Sequence, residues 1–181
     1  IDDALYEQGR AFVMLEDNAN AIGRYQVLLD KFPQSHMARR AANEIGLLYY
    51  QDDKYPEAIA AYKRVIQHYP GSEEAQLAQR DLKSIYIDLN QVDEYAAFAS
   101  AIPGGANFDV NERDSLTYVA AERVYMRGEM AEARNSFVRY LQTFPEGAFS
   151  LNTNYYIGLI DYNQKNYESA SAHLGKVLEY P

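Results

Sequence analysis

The residues best suited to catalysis or metal binding are scattered along this chain. The three histidines, His36, His68 and His173, fall in separate segments and lack the HExxH spacing that puts two imidazoles on one helix face. The 181 residues include no cysteine, so neither a disulfide framework nor a thiolate metal site can form. We expect the histidines to have surface or packing roles, and we predict no cofactor and no metal.

Two short segments only partly match ligand-binding loops. Residues 88–93 (DLNQVD) begin like a calcium loop, but the glycine at its sixth position and the closing glutamate are missing. Gly175-Lys176 lacks both the spaced upstream glycine and the following Ser or Thr of a phosphate loop. Carboxylate pairs such as Asp52-Asp53 fall in polar stretches predicted to be exposed turns. The sequence therefore predicts a protein that is not an enzyme.

The charge balance limits the class of partner. The chain has 26 acidic and 17 basic residues and a formal net charge of -9. A general nucleic-acid binder carries a basic face, so nucleic acid is disfavoured. No run approaches the roughly 18 apolar residues of a membrane span. The sequence starts at Ile1 without a visible signal peptide, and we interpret it as a segment of a longer precursor or array.

The most informative stretch is residues 46–70, which is predicted to be a helix, a polar turn and a second helix. Its landmark residues are separated by 3, 9, 4 and 8 positions, and the same spacing occurs twice: Gly9, Phe12, Ala21, Tyr25, Pro33 and Gly46, Tyr49, Ala58, Tyr62, Pro70. Such self-similarity at a fixed period is the signature of a repeat protein. Gly9 should cost about 1 kcal/mol in a helix interior relative to alanine, which indicates that a neighbouring helix approaches its backbone closely.

The repeat pattern predicts the domain organisation. It divides the chain into units at 1–34, 35–71, 72–102, 112–146 and 147–181, with a linker at 103–111. The third unit is degenerate, because Lys83 stands where other units have a small residue. Residues 102–107 (IPGGAN) also interrupt this unit early.

This pattern resembles the tetratricopeptide repeat (TPR). The shared positions are a small residue in the first helix, an alanine in the second helix, an aromatic or leucine four residues later and a closing proline: Gly9, Gly46, Ala121, Gly158; Ala21, Ala58, Ala133, Ala170; Tyr25, Tyr62, Phe137, Leu174; Pro33, Pro70, Pro145, Pro181. The resemblance implies an all-α fold, a right-handed superhelical array of antiparallel helix pairs with about five repeats. The chain departs from the family pattern in its third unit and in lacking tryptophan early in the first helix.

The junctions between units support a narrower resemblance. The segments FPQS at 32–35 and YPGS at 69–72 are similar to those of bacterial cell-envelope TPR proteins, which include TolA-binding proteins and the TPR lipoprotein of the outer-membrane assembly machinery. Residues 114–133 resemble exported TPR proteins of Bacteroidetes. This resemblance implies a periplasmic or outer-membrane-associated location, with the cytoplasm as the alternative.

The family resemblance also implies where a partner would bind. In this family the concave face is lined by residues of the first helices, beside the packing stripe. Transferred unit by unit, they are Tyr6, Arg10, Val13; Asn43, Leu47, Tyr50; Arg80, Ser84, Ile87; Tyr118, Glu122, Tyr125; and Tyr155, Leu159, Tyr162. Tyrosine offers rigid apolar area and a hydroxyl, which suits an extended or helical peptide with apolar anchors. The alternative is that these tyrosines pack between neighbouring repeats.

Three functions are compatible with this pattern. The first is a non-catalytic scaffold, a segment of a larger bacterial envelope protein that binds a peptide or protein in its concave groove. The second is an oligomerisation module in which terminal repeats stack on another copy. The third is an accessory segment of an enzyme whose catalytic part lies elsewhere. The clamp that chaperone-tail-binding members use for a C-terminal carboxylate is absent, because Tyr6, Arg10 and Glu44 stand near the matching places.

Overall fold

The computed structural model describes residues 1–103 and 109–179. These residues form ten α-helices and no strand. The helices are α1 (Asp2–Met14), α2 (Asn18–Lys31), α3 (His36–Gln51), α4 (Tyr55–His68), α5 (Glu73–Asp88), α6 (Val92–Ala101), α7 (Val110–Met126), α8 (Met130–Thr143), α9 (Ser150–Asn163) and α10 (Tyr167–Leu178).

The chain divides into two compact units, Ile1–Ile85 and Tyr86–Pro181. In the first unit, α1 packs on α2, α3 packs on α4, and α2 also contacts α3. In the second unit, α7 packs on α8, α9 packs on α10, and α8 contacts α9. Because each pair is joined by a short turn, its helices run antiparallel. This architecture confirms the predicted all-α fold of TPR-type helix pairs.

The turn within each helix pair has the same backbone conformation. One residue per turn has a positive φ: Glu16 at 57°, Asp53 at 56°, Asn90 at 56°, Gly128 at 83° and Lys165 at 64°. Each lies seven residues after the small-residue position of the first helix, including Asn90 in the degenerate third unit. The next residue then donates its backbone N–H to a carbonyl near the end of the helix, as Lys54 does to Tyr49 at 2.9 Å and Gln91 to Tyr86 at 2.8 Å. This left-handed helix ending reverses the chain in all five pairs.

Glycines in the first helices permit close packing by the second helices. A Cβ added at Gly9 would lie 2.3 Å from Cε1 of Tyr25, and one at Gly158 would lie 2.6 Å from Cγ of Leu174. No side chain fits at such distances without displacing its neighbour. The close helix approach that was predicted from Gly9 is therefore confirmed.

Polar residues define where several helices begin. Ser35 caps α3 by accepting the Met37 N–H at 3.1 Å. Asp109 caps α7 by accepting the Asn111 N–H, so this helix begins at Val110, two residues before the predicted start at Glu112. Most of the predicted linker at 103–111, namely residues 104–108, lies outside the described residues, and so does Pro181.

In two repeats, a carboxylate near the start of the first helix binds residues of the junction that follows the second helix of the same repeat. Asp2 accepts the Ser35 hydroxyl at 2.6 Å, which lowers the pKa of the carboxyl. Asp114 is 7% exposed and accepts the Tyr140 hydroxyl and the Ala148 N–H. The Tyr140 oxygen in turn accepts the Phe149 N–H at 3.0 Å. These bonds satisfy polar groups at the two junctions.

An ion pair joins α8 and α9. Asp161 is fully buried and accepts two bonds from Arg134, at 2.6 and 3.0 Å, and one from the Ser169 hydroxyl at 2.6 Å. The bonds from Arg134 lower the pKa of Asp161. In the repeat register Asp161 stands at the position of Tyr49, and Arg134 at the position of Ile22. A bidentate ion pair thus occupies two positions that carry an aliphatic and an aromatic side chain in the first two repeats.

Candidate partner-binding surface

In the first unit, the predicted surface is partly packed and partly open. The buried Tyr6 ring lies 5.6 Å from the Tyr25 ring, with the Arg40 guanidinium 5.5 Å above it. Tyr6 therefore forms part of the core, which corrects its assignment as a partner-contacting residue. The ring reaches the neighbouring repeat because α1 and α3 are adjacent.

Other predicted residues of the first unit remain accessible. Arg10 is exposed and pairs with Glu7 at 3.2 Å, and Arg80 is exposed and pairs with Asp81 at 2.9 Å. The remaining positions, which are partly buried, are Val13, Asn43, Leu47, Tyr50 and Ser84. Contact between these residues and a partner stays a prediction.

In the second unit, Tyr118 is also a core residue. Its ring is 5% exposed and stacks on Phe149 with centroids 4.4 Å apart. Burial, followed by its bond to Glu122, raises the pKa of the Tyr118 hydroxyl. Ile87 is also buried, against Val92 and Ala120. The assignments of Tyr118 and Ile87 to the open surface are corrected for the same reason as that of Tyr6.

The rest of the predicted surface in the second unit carries tyrosine side chains. Glu122 accepts hydroxyls from Tyr118 at 3.0 Å and Tyr156 at 3.1 Å. The half-buried Tyr125 lies 4.7 Å from the Tyr156 ring. Tyr155 is 47% exposed and Tyr162 is 58% exposed.

Leu159 lies between these two exposed tyrosines on α9 and is partly buried. The Tyr162 ring meets that of Tyr167 edge-on, with centroids 5.5 Å apart. This part of α9 offers aromatic area together with hydroxyl groups.

Sequence reasoning overlooked one recurring position. It lies two residues before the small residue of the first helix and faces the second-helix aromatic of the preceding repeat. Asp81 accepts the Tyr62 hydroxyl at 3.4 Å, whereas the Tyr156 ring stacks on Phe137 at 5.1 Å. Glu44 is the equivalent residue in the second repeat, and burial raises its pKa. Reading this position as a column across the repeats would have identified it.

The histidines take part in separate local contacts. The ring Nδ1 of His36 lies 2.9 Å from the Arg39 guanidinium, and that of His68 lies 2.9 Å from the Arg64 carbonyl oxygen. His173 is partly buried, and its Nδ1 lies 2.8 Å from the Asn154 side-chain oxygen. Burial lowers the pKa of His173.

The described residues include no group of three or more acidic or histidine side chains arranged to hold a metal ion. Within the same ranges, no helix combines the length and the hydrophobicity that crossing a bilayer requires.

Comparison with known proteins identifies the class of repeat. Residues 6–73 match the family model of the tetratricopeptide repeat. The predicted TPR character is thereby confirmed for this segment, which contains the two best-defined copies of the pattern. Tetratricopeptide repeats are protein-interaction modules, so the match also supports a scaffold as the general class of function. No curated protein sequence matches the chain significantly.

Several solved structures are similar to the chain at low sequence identity. MamA, residues 41 to the end, from Desulfovibrio magneticus RS-1 is 11% identical, with 98% of this chain and 93% of that chain covered and a TM-score of 0.48. A tetratricopeptide repeat protein from Parabacteroides merdae ATCC 43184 is 13% identical, with 98% and 65% covered and a TM-score of 0.48. YrrB, described as a TPR protein with an unusual peptide-binding site, is 15% identical, with 94% and 81% covered and a TM-score of 0.41.

Proposed function

We propose that this chain is a non-catalytic scaffold that binds a peptide or protein partner across the first helices of its repeats. One observation carries this proposal: large side chains remain accessible at the positions that the packing pattern leaves free. In the first unit these include Arg10, Leu47 and Tyr50, and in the second Tyr155 and Tyr162. Accessible tyrosines and arginines are enriched at protein-recognition surfaces.

The chemistry of this surface favours a partner with apolar anchors. Leu47 and Leu159 occupy equivalent positions, and each is followed three residues later by a tyrosine, Tyr50 or Tyr162. A side chain inserted between such a pair would bury apolar area and could hydrogen-bond to the phenol.

Capture of a partner from a cell-envelope extract tests this function. A variant carrying Tyr50→Ala, Tyr125→Ala and Tyr162→Ala should lose the partner while its helical circular dichroism is unchanged. The matched control changes three exposed residues of the second helices to alanine: Arg24, Gln67 and Arg139. The proposal fails if the tyrosine variant captures the partner as well as the control does.

A second candidate is self-association through the last helix pair. Tyr155, Tyr167 and Leu178 are 47%, 57% and 84% exposed. Together they offer an apolar surface on which a second copy could pack. Light scattering over a range of concentrations tests this candidate. Association that Leu178→Lys weakens would support it, and a monomer at every concentration would contradict it.

We further propose that the chain belongs to a larger protein of the bacterial envelope. The support for this location is the similarity of the junctions at 32–35 and 69–72 to those of envelope TPR proteins. Fractionation of the native protein should place it in the periplasm or the outer membrane. Recovery in the cytoplasmic fraction alone would contradict this location.

A further inference from the structure

The carboxylate of Glu122, on α7 in the second unit, accepts two hydrogen bonds through a single oxygen. The hydroxyl of Tyr118 donates to Oε1 at 3.0 Å, and the hydroxyl of Tyr156 on α9 donates to the same atom at 3.1 Å. The other oxygen, Oε2, accepts no hydrogen bond from the residues that the structure describes. Because Glu122 is partly buried, water screens its charge less than that of a fully exposed carboxylate.

The arginines of the same helix are paired with other carboxylates. Arg113 donates to Asp93 at 2.7 Å, and Arg123 donates to Asp88. Within the described ranges, no lysine, arginine or histidine forms an ion pair with Glu122. Glu122 therefore presents a negative charge that no ion pair of this chain neutralises.

Accessible aromatic rings adjoin this carboxylate. The Tyr156 ring, whose hydroxyl binds Glu122, lies 4.7 Å from the Tyr125 ring and 6.2 Å from the Tyr155 ring. Tyr125 and Tyr156 are partly buried, and Tyr155 is 47% exposed. The face of an aromatic ring attracts cations, and arginine is the residue that most often packs there. The rings and the carboxylate thus favour the same kind of ligand.

The surroundings of Glu122 supply apolar area and no second charge. A pocket of about 340 Å³ opens beside Tyr156, and it is lined by Leu151, Asn152, Tyr155, Tyr156 and Val177. Of the positions predicted for the partner-binding surface in the second unit, Glu122 alone is charged, and the others are tyrosine or leucine. A ligand that matches this surface combines one positive charge with aliphatic groups.

We propose that Glu122 and the neighbouring tyrosines bind an arginine side chain of the partner that the scaffold recognises. A guanidinium group has five N–H donors and no acceptor, so it complements the free carboxylate oxygen, and its planar face packs on a tyrosine ring. The aliphatic stem of the arginine would occupy the pocket beside Tyr156. The net charge of -9 favours the approach of a basic segment. This inference rests on the proposed scaffold function and names one residue type of the partner.

The site can be tested without knowing the partner. The probe is the blocked tripeptide acetyl-Gly-Arg-Gly-amide, titrated into the ¹⁵N-labelled chain and followed by NMR. We expect saturable shifts at the backbone amides of Glu122, Tyr125 and Tyr156. The same tripeptide with citrulline, which has nearly the shape of arginine but no charge, should give no saturable shift at these amides.

Two variants locate the binding of the arginine probe. Glu122→Gln keeps an oxygen that accepts the tyrosine hydroxyls but removes the charge, and it should weaken binding by about tenfold or more. Tyr155→Leu removes an accessible ring and should weaken binding by about threefold. The matched control Glu94→Gln removes one exposed charge on α6 and should bind as the parent chain does.

The inference is overturned if the arginine probe gives no saturable shift, if citrulline binds as well as arginine, or if Glu122→Gln binds as the parent chain does. The outcome is independent of partner capture, because the probe is not the partner. Capture that requires the groove tyrosines, together with no binding of the arginine probe, would keep the scaffold function and reject the arginine site. Arginine binding that Glu122→Gln removes would support the site even if the tyrosine variants captured the partner normally.

Discussion

The ring of Tyr62 lies against the backbone of Gly46, so that a Cβ added to this glycine would be 2.6 Å from the tyrosine Cε1. Tyr62 is completely buried, which leaves its ring no room to withdraw. The same relationship joins Gly9 to Tyr25 in the preceding repeat. This contact between first and second helices sets how closely each helix pair packs.

Replacing this glycine should therefore destabilise the fold. Gly46→Ala gains about 1 kcal/mol of helix propensity, but it also overpacks a filled site, at a cost of about 1–3 kcal/mol. We expect a net loss of roughly 1 kcal/mol in the free energy of unfolding, measured by urea denaturation followed by circular dichroism.

Gly23 provides the matched control. It lies within α2, is exposed, and has no atom within 4 Å of an added Cβ. Gly23→Ala should stabilise the chain by up to about 1 kcal/mol. If both alanine variants were stabilised equally, close helix packing would not explain Gly46.

Two buried tyrosines should respond differently to loss of the hydroxyl. The Tyr140 hydroxyl donates to Asp114 and accepts the Phe149 N–H, so Tyr140→Phe leaves both groups short of a partner. This loss should cost about 2–3 kcal/mol in the free energy of unfolding. Tyr25→Phe removes a buried hydroxyl that has no partner in the described structure, and it should be neutral or stabilising. Equal losses in the two variants would contradict the role assigned to the Tyr140 bonds.

The buried ion pair of the second unit should contribute more than an exposed one. Asp161→Asn leaves the Arg134 charge without its partner. The free energy of unfolding should fall by roughly 2–3 kcal/mol, which is less than the full cost for a buried pair because the Arg134 side chain is 30% exposed. Asp93→Asn breaks the 2.7 Å pair with Arg113, whose side chains are 70% and 45% exposed. This control should cost less than about 1 kcal/mol. Chemical denaturation measures the free energy of unfolding of both variants. Similar losses in the two would contradict a larger contribution from the Arg134–Asp161 pair.

His173 should make stability depend on pH in the mildly acidic range. Burial lowers its pKa in the folded state, and the nearby Lys176 and Arg134 act in the same direction, whereas Asp161 opposes them. The unfolded chain therefore binds a proton first as the pH falls. The stabilisation is complete above the ordinary histidine pKa of about 6.5 and decreases below it.

The measurement is the melting temperature at pH 7.5 and at pH 5.5. The parent chain should lose stability over this interval, and His173→Gln should lose less. An identical pH dependence in the two proteins would show that His173 does not control it.

Much of the fold could be predicted because packing in a repeat protein is periodic. The spacing from Gly9 to Pro33 recurs from Gly46 to Pro70, so one helix pair defines the next. The left-handed turn residue was harder to recognise, since it is glycine only at Gly128 and a polar residue in the other turns. Several residue types adopt the left-handed conformation in these turns, so the residue type does not mark the position.

The candidate surface was only partly predictable, because its residues border the packing stripe. Tyr6 and Tyr155 share one repeat position, but the first is buried and the second is 47% exposed. Periodicity assigns a helix face and cannot tell whether a neighbouring helix covers it. The Arg134–Asp161 pair was overlooked because charges on a helix usually face water, although Asp161 occupies an apolar position of the repeat.

The most direct test of the scaffold function is to map a bound peptide onto the helices. A peptide selected from a library against the immobilised chain would be titrated into the ¹⁵N-labelled protein, and shifts of the backbone amides would be recorded. We predict that the shifts concentrate on first helices, around Leu47 and Tyr50 or around Tyr155 and Tyr162. Alanine at the affected tyrosine should weaken binding by about tenfold. Shifts confined to the second helices, with binding unaffected by alanine at these tyrosines, would contradict the proposed surface.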